Sequence, residues 1–214
     1  MRTRVPRTDR LAVTAQLIRS VRPSSVLEVG AGDYSFKDHV PGVRTWHTVD
    51  FRPPADTVAD LNRPDLSLPF HPGQFDLIVC TEVLEHLLWP QALLADARRI
   101  LAPAGRVVVS VPNMVSLTYR IAWLLGRLPS CAASGNLPAS MQQTGYQSED
   151  SLPVGGHVID FPLARLEGLS KVTGFEIAAR RGSGLIWHRQ IMPAWVGPVS
   201  LASNLVLMLA PAAA

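Results

Sequence analysis

The sequence predicts an α/β fold in which a doubly wound, mostly parallel sheet is covered by helices on both faces. Short apolar segments typical of buried strands alternate with segments whose apolar residues recur at helical spacing. The chain has 214 residues, of which 47% are hydrophobic and 17% are charged. This composition excludes a disordered chain, and the length predicts a single domain over residues 1–214.

The first half of the chain predicts one helix and then most of the strands. The helix begins near Thr8, a plausible N-cap, and ends at Pro23, so residues 1–22 form an N-terminal arm and helix. The strand candidates are Ser25–Val29, Thr45–Val49, Thr57–Ala59, Phe75–Cys80 and Val107–Val111. A second helix is predicted over Gln91–Leu101, because its apolar residues recur at helical spacing and it stops before Pro103.

The second half predicts an insertion followed by a return to the sheet. An apolar, aromatic helix is expected over Val115–Leu128, either as a core helix or as the wall of an acceptor pocket. The Ser-, Gly-, Pro- and Gln-rich stretch Pro129–Gly156 is typical of a disordered loop or of a lid. Residues 114–155 are therefore expected to form an inserted lid. A helix over Leu163–Lys171 and a strand over Phe175–Ala179 follow.

The C-terminal segment Gln190–Ala214 carries no charge. Its prolines leave about twelve uninterrupted residues, or roughly 18 Å of helix, against about 30 Å for a bilayer core. A membrane span is therefore not expected. The run Leu205–Leu209 predicts a final core strand, and a hydrophobic element facing a lipid or a partner is the alternative.

The formal net charge of +3 is concentrated at the N-terminus. The first ten residues contain Arg2, Arg4, Arg7, Arg10 and Asp9, and the remaining 204 residues contain 16 basic and 16 acidic groups. This arm is either solvated or in contact with phosphates or an anionic membrane surface. Since the rest of the chain is neutral, no nucleic-acid partner is expected.

Cysteine usage indicates a reducing compartment. Cys80 and Cys131 are too few for a disulfide framework, and no spacing of Cys and His suggests zinc, so no metal site is expected. No apolar segment typical of a secretory signal lies near the N-terminus. The prediction is a cytoplasmic protein, with peripheral membrane contact left open; the oligomeric state is not predicted.

A glycine turn and an acidic residue indicate the ligand. Gly30-Ala31-Gly32 follows the first strand, but Ser35 stands where a dinucleotide fingerprint requires glycine, and Asp33 would oppose a pyrophosphate. Asp50 ends the second strand, where its carboxylate can accept both hydroxyls of a ribose. The pattern favours a ligand with a ribose and cationic groups over NAD.

Five motifs in order resemble those of the class I S-adenosylmethionine-dependent methyltransferases, and the likeness covers nearly the whole chain. They lie at Val26–Gly32, Val49–Asp50, Phe75–Leu87, Leu101–Asn113 and Gly156–Glu176. The resemblance implies a seven-stranded Rossmann-like methyltransferase fold and S-adenosylmethionine as cofactor. The sequence departs from the family at Tyr34, where a small residue is common, and at Ala104, where glycine is usual.

The resemblance also implies an activity and a set of binding residues. The expected reaction is methyl transfer, with O-methylation favoured, to a small-molecule, glycan or lipid-linked acceptor. The implied cofactor residues are Glu28, Gly30, Ala31, Gly32, Thr81 and Glu82 at the methionine end, Asp50 at the ribose, and Phe51, Asp60 and Leu61 at the adenine. Glu28 would make its contact through water.

Two histidines are candidates for a base that assists a hydroxyl acceptor, an effect of about 10²–10⁴ in rate. His157 is the first candidate, because it returns to the fold directly after the predicted lid. His86, which follows Glu85 beyond the fourth strand, is the weaker one. Either could instead order its own loop or turn. Because of Tyr34, a non-catalytic cofactor-binding or scaffold protein is kept as the alternative function.

Overall fold

The structure is a computed structural model that describes residues 9–32, 34–127, 157–187, 190–192 and 197–213. The helices of this part are α1 (Asp9–Val21), α2 (Pro90–Ile100), α3 (Leu117–Leu124) and α4 (Leu163–Val172). The strands are β1 (Ser25–Val29), β2 (Thr45–Asp50), β3 (Thr57–Val58), β4 (Phe75–Thr81), β5 (Leu101–Pro112), β6 (Phe175–Ser183), β7 (Leu185–Trp187), β8 (Gln190–Met192) and β9 (Asn204–Pro211).

Seven of the strands form one sheet in the order β3-β2-β1-β4-β5-β9-β6. The pairs from β3 to β5 are parallel, whereas β9 is antiparallel to both β5 and β6. The prediction of a doubly wound, mostly parallel seven-stranded sheet is confirmed. β7 and β8 form a separate antiparallel pair that was not predicted from the sequence.

Several element boundaries differ from the predicted ones, and the lid lies largely outside the described residues. β5 begins at Leu101, directly after α2, because the chain turns into extended backbone at the end of that helix. β6 continues to Ser183, where it still pairs with β9. Of the predicted lid over 114–155, the structure describes only residues 114–127, which include α3.

Each face of the sheet carries its own core, since side chains alternate along a strand. On one face, Leu27 and Val29 pack in a cluster with residues of α2 and α4, such as Leu93 and Leu166. On the other face, Val26 packs with residues of α1, including Ile18. The even-numbered positions of β1, which include Glu28, therefore point toward the α1 side.

The apolar C-terminal run is an internal strand of the sheet. Leu205, Val206, Leu207 and Leu209 are fully buried in β9 between β5 and β6. The interpretation as a core strand is confirmed, and the lipid- or partner-facing alternative is wrong, because the side chains of the run are buried and both edges of β9 are paired. In the described part of the chain, no helix has the length and apolarity needed to cross a membrane.

The predicted apolar helix is present as α3 but is not a core helix. None of its eight residues is buried, and Leu124 is 86% exposed. Ser116 caps its N-terminus by accepting a hydrogen bond from the Tyr119 amide at 3.4 Å.

Leu207→Ala should lower the free energy of unfolding by about 2–5 kcal/mol, because it leaves a cavity in the middle of the sheet. Leu124→Ala, the same change at an exposed position of α3, should alter it by less than about 0.5 kcal/mol. Urea unfolding of both variants measures the difference. Equal effects would contradict the internal position of β9.

Candidate functional site

The predicted glycine turn and Asp50 meet at the carboxyl edge of the sheet. β1 and β2 are parallel neighbours, so the turn that follows β1 faces the last residue of β2. The Gly32 amide donates a hydrogen bond to Oδ2 of Asp50 at 3.1 Å, and the Arg52 amide donates to Oδ1 at 3.4 Å. Asp50 is buried, but each oxygen retains capacity for a further donor.

The turn itself requires glycine at its first position for two reasons. Gly30 has φ +71°, and a Cβ built there would overlap Cγ2 of Val83. Gly32 also has a positive φ, +50°, but a Cβ there would meet nothing within 4 Å. The Gly30 amide donates to the carbonyl of Val49 at 2.7 Å. Gly30 thus packs into the fold, whereas Gly32 borders open space.

Glu28 holds the loop that follows the turn. Its carboxylate accepts hydrogen bonds from the Ser35 hydroxyl, the Phe36 amide at 3.0 Å and Nε1 of Trp46 at 2.8 Å. Burial raises the pKa of Glu28, while the three donors act in the opposite direction. The carboxylate therefore joins β1, the loop and β2. Its predicted contact with a cofactor through water stays a prediction.

Tyr34, the departure from the family pattern, packs mainly against its own loop. Its ring lies edge-on to Phe36 with centroids 5.2 Å apart and stacks on His39 at 5.5 Å. Its hydroxyl is buried without a hydrogen-bond partner among the described residues. Burial, together with the charge of Glu28, raises the pKa of Tyr34.

The three residues predicted to contact an adenine differ in their exposure to solvent. Phe51 follows Asp50 directly and is 50% exposed, with the Arg52 guanidinium 5.3 Å from the centre of its ring. Asp60 is exposed, and its Oδ1 accepts from the Asn62 amide at 2.9 Å. Leu61, in contrast, is buried in the core.

Thr81 and Glu82 end the neighbouring strand β4, beside β1. Glu82 has φ +56°, a conformation that costs a non-glycine residue about 1–3 kcal/mol and is concentrated at functional sites. Its carboxylate accepts from the Ser110 hydroxyl at 2.8 Å and from the Asn204 amide group at 3.4 Å. Arg10 of α1 lies 3.6 Å from Oε1 of Glu82. The N-terminal helix therefore contributes to this edge.

The two candidate bases lie together. The rings of His86 and His157 are 5.0 Å apart between centroids, at an interplanar angle of 68°. The amides of Val158 and Ile159 donate to the carbonyl of Glu85, at 2.7 and 3.1 Å. These two bonds bring the chain back from the predicted lid to the turn after β4.

Glu85 is a buried acid close to these histidines. Only 2% of it is exposed, and among the described residues neither carboxylate oxygen has a hydrogen-bond partner. Burial raises the pKa of Glu85 well above its usual range, and the charge of Glu82 raises it further. Oε1 of Glu85 lies 3.9 Å from Nε2 of His86.

Two cavities border β1 and β2, one at the carboxyl ends of these strands and one at their amino ends. The one of about 230 Å³ is lined by the glycine turn, Tyr34 and Asp50. The larger one, about 670 Å³, lies at the amino ends of the strands near Ser25, Thr45 and Phe75. Because ligands of open α/β sheets bind at the carboxyl ends, we assign the site to the smaller cavity.

Sequence reasoning missed several residues that shape the site. Trp46 was read only as part of a strand, although its register opposite Val26 places it on the same face as Glu28. Arg10 lies in the predicted first helix but was considered only for its charge, and its proximity to Glu82 was not predicted. Ser110, which pairs with Thr81 in the sheet, was likewise not singled out.

Comparison with known proteins identifies relatives of the chain. The sequence model of a family described as a methyltransferase domain matches residues 4–180. The ubiquinone biosynthesis O-methyltransferase of Thiobacillus denitrificans is 38% identical over 52 residues, which are 24% of this chain. That match spans only 22% of the length of the relative.

Solved structures share the fold. A 1,6-didemethyltoxoflavin-N1-methyltransferase of Burkholderia thailandensis, solved with 1,6-didemethyltoxoflavin and S-adenosylhomocysteine, superposes with a TM-score of 0.57 at 14% identity. The superposition covers 95% of this chain and 78% of that one. A SAM-dependent methyltransferase of Methanosarcina mazei gives 0.56 at 16% identity, covering 92% and 97% of the two chains.

Gly30→Ala should destabilise the protein more than Gly126→Ala. Gly126 has a similar φ, +68°, but nothing lies within 4 Å of a Cβ there. Both changes incur the left-handed backbone cost of about 1–2 kcal/mol. Gly30→Ala also overlaps Val83, which should cost about 1–3 kcal/mol more. Chemical unfolding measures both, and equal losses would contradict the close packing of Gly30.

Proposed function

This chain belongs to the family of methyltransferase domains, and we propose that it uses S-adenosylmethionine to methylate an oxygen atom of a small-molecule, glycan or lipid-linked acceptor. The observation that carries the proposal is the convergence of the glycine turn and the Asp50 carboxylate on one cavity. The activity rests on family membership, and the site residues on this geometry.

The residues at the cavity fit the cofactor. The open space above Gly32 lets a ligand approach the backbone closely. Asp50 offers buried carboxylate oxygens with spare acceptor capacity, as two ribose hydroxyls require. Phe51, half exposed beside Asp50, offers an aromatic face to an adenine. Glu82, at the end of β4, supplies negative charge on the side where a cationic methionine end would lie.

Little covalent chemistry is required of the protein. S-adenosylmethionine supplies a methyl group on a sulfonium, and the group that leaves is a neutral thioether. The protein acts by positioning the acceptor about 3–3.5 Å from the methyl group and by excluding water. Either His157 or His86 can accept the proton of an acceptor hydroxyl, since both rings lie beyond the end of β4.

Two observations support an oxygen acceptor of apolar character. A matched relative is an O-methyltransferase of ubiquinone biosynthesis, although the match covers less than a quarter of either chain. In the structure, α3 follows β5 and exposes Trp123 and Leu124. An apolar acceptor or the lipid to which it is linked would be complementary to this helix.

Asp50→Asn should weaken S-adenosylmethionine binding about 10- to 100-fold, since a hydrogen bond to a charged group contributes about 1.5–3 kcal/mol. Asp65→Asn is the matched control, because Asp65 is exposed and pairs with Arg63. Isothermal titration measures both. Absence of binding to the unaltered protein at millimolar cofactor, or binding unaffected by Asp50→Asn, would overturn the assignment.

His157→Asn should lower the rate of methyl transfer by about 10²–10⁴ and leave cofactor affinity unchanged. The rate is followed as transfer of labelled methyl groups from S-adenosylmethionine into lipid, glycan and small-molecule fractions of a cell extract. His71→Asn, at an exposed histidine outside the site, is the control. An unchanged rate would remove His157 from the mechanism, and cofactor binding without any transfer would favour the scaffold alternative.

A further inference from the structure

Glu85, His86 and His157 form a cluster that the proposed reaction does not fully use. One donor atom from each side chain lies within 4.8 Å of the other two. Donor atoms bound to one tetrahedral zinc ion lie about 3.4 Å apart, given metal–ligand bonds of about 2.0–2.2 Å. Side-chain rotation that shortens these separations by up to about 1.4 Å would therefore allow the cluster to bind a metal ion.

The burial of Glu85 is the second observation. A carboxylate that is 2% exposed and accepts no hydrogen bond from the described residues is costly to bury. Glu85 is nevertheless buried, whereas the neighbouring His86 and His157 are partly exposed. A cation bound between the three side chains would compensate this buried carboxylate.

The backbone fixes the three residues relative to one another. Glu85 and His86 lie in the 3₁₀ turn Leu84–His86, directly after β4. The segment that carries His157 is held to the same turn, because the next two amides donate to the Glu85 carbonyl. The candidate ligands therefore come from two distant parts of the sequence but share one hydrogen-bonded unit.

From this geometry we propose that Glu85, His86 and His157 bind a divalent first-row transition metal ion. Two imidazoles and one carboxylate suit Zn²⁺, Fe²⁺ or Ni²⁺ better than Mg²⁺, which prefers a shell of oxygen ligands. His86 is only partly buried, with 32% of its side chain exposed, so the ion would keep coordination positions open to solvent. The proposal departs from the expectation, drawn from the sequence, that the chain has no metal site.

Such an ion would activate the acceptor hydroxyl, and this role rests on the proposed function. A metal ion with an open position binds a hydroxyl oxygen and lowers its pKa. His157 would then act as a ligand rather than as a free base.

The site is tested by titrating the tag-free full chain with Zn²⁺, in the absence of S-adenosylmethionine and acceptor. We expect one Zn²⁺ per chain and a Kd at least about tenfold higher in Glu85→Gln, His86→Asn and His157→Asn. His71→Asn, which removes an exposed imidazole outside the cluster, should bind as the unaltered chain does. Zn²⁺ should also raise the Tm of the unaltered chain and of His71→Asn, but not of the three cluster variants.

Absence of saturable Zn²⁺ binding, affinity unchanged in all three cluster variants, or equal loss in His71→Asn would overturn the proposal. Equally tight Mg²⁺ binding would overturn the choice of metal class. If Glu85→Gln does not fold, the proposal is tested by His86→Asn and His157→Asn, since both residues are partly exposed. Because the titration contains no cofactor, its failure is distinguishable from failure of methyl transfer. Transfer that is unaffected by chelation in a Zn²⁺-binding chain would overturn the catalytic role.

Discussion

The site depends on how the chain accommodates one buried carboxylate in its first strand. Glu28 lies on the α1 side of the sheet, among apolar residues, and such a group is tolerated only when its oxygens are satisfied. Ser35, the Phe36 amide and Trp46 satisfy them, so the loop after β1 must fold back toward β2. With the loop held in this way, the Gly32 amide reaches Asp50 and the cavity between them has its shape.

Most of the sheet could be predicted from the sequence because its central strands, β1, β4, β5 and β9, are buried on both faces. Such strands are short continuous apolar runs, as in Leu77–Cys80 and Leu205–Leu209, and they are visible without knowledge of their partners. Periodicity alone did not show whether the final run faces the core or a lipid. That distinction depends on the pairing of β9 with β5 and β6, which is a long-range property.

The candidate site was predictable where its residues follow strands and not where distant segments meet. Gly30, Gly32 and Asp50 could be placed because parallel strands end at one edge. The contact of Arg10 with Glu82 was not predictable, since nothing in the local sequence shows that α1 carries Arg10 to the end of β4. The proximity of His157 to Glu85 was equally hidden, because two backbone hydrogen bonds between remote segments create it.

The position of β9 has a consequence for how the fold is reached. This strand follows all the others in the chain, yet it lies inside the sheet and supplies the partner edge for β6. The sheet partner of β6 is therefore absent until β9 has been synthesised. During synthesis, the edge of β5 that pairs with β9 stays open until β9 has left the ribosome. Strands of different chains can pair at such an open apolar edge. Pairing of β9 therefore covers an edge at which strands of different chains could otherwise associate.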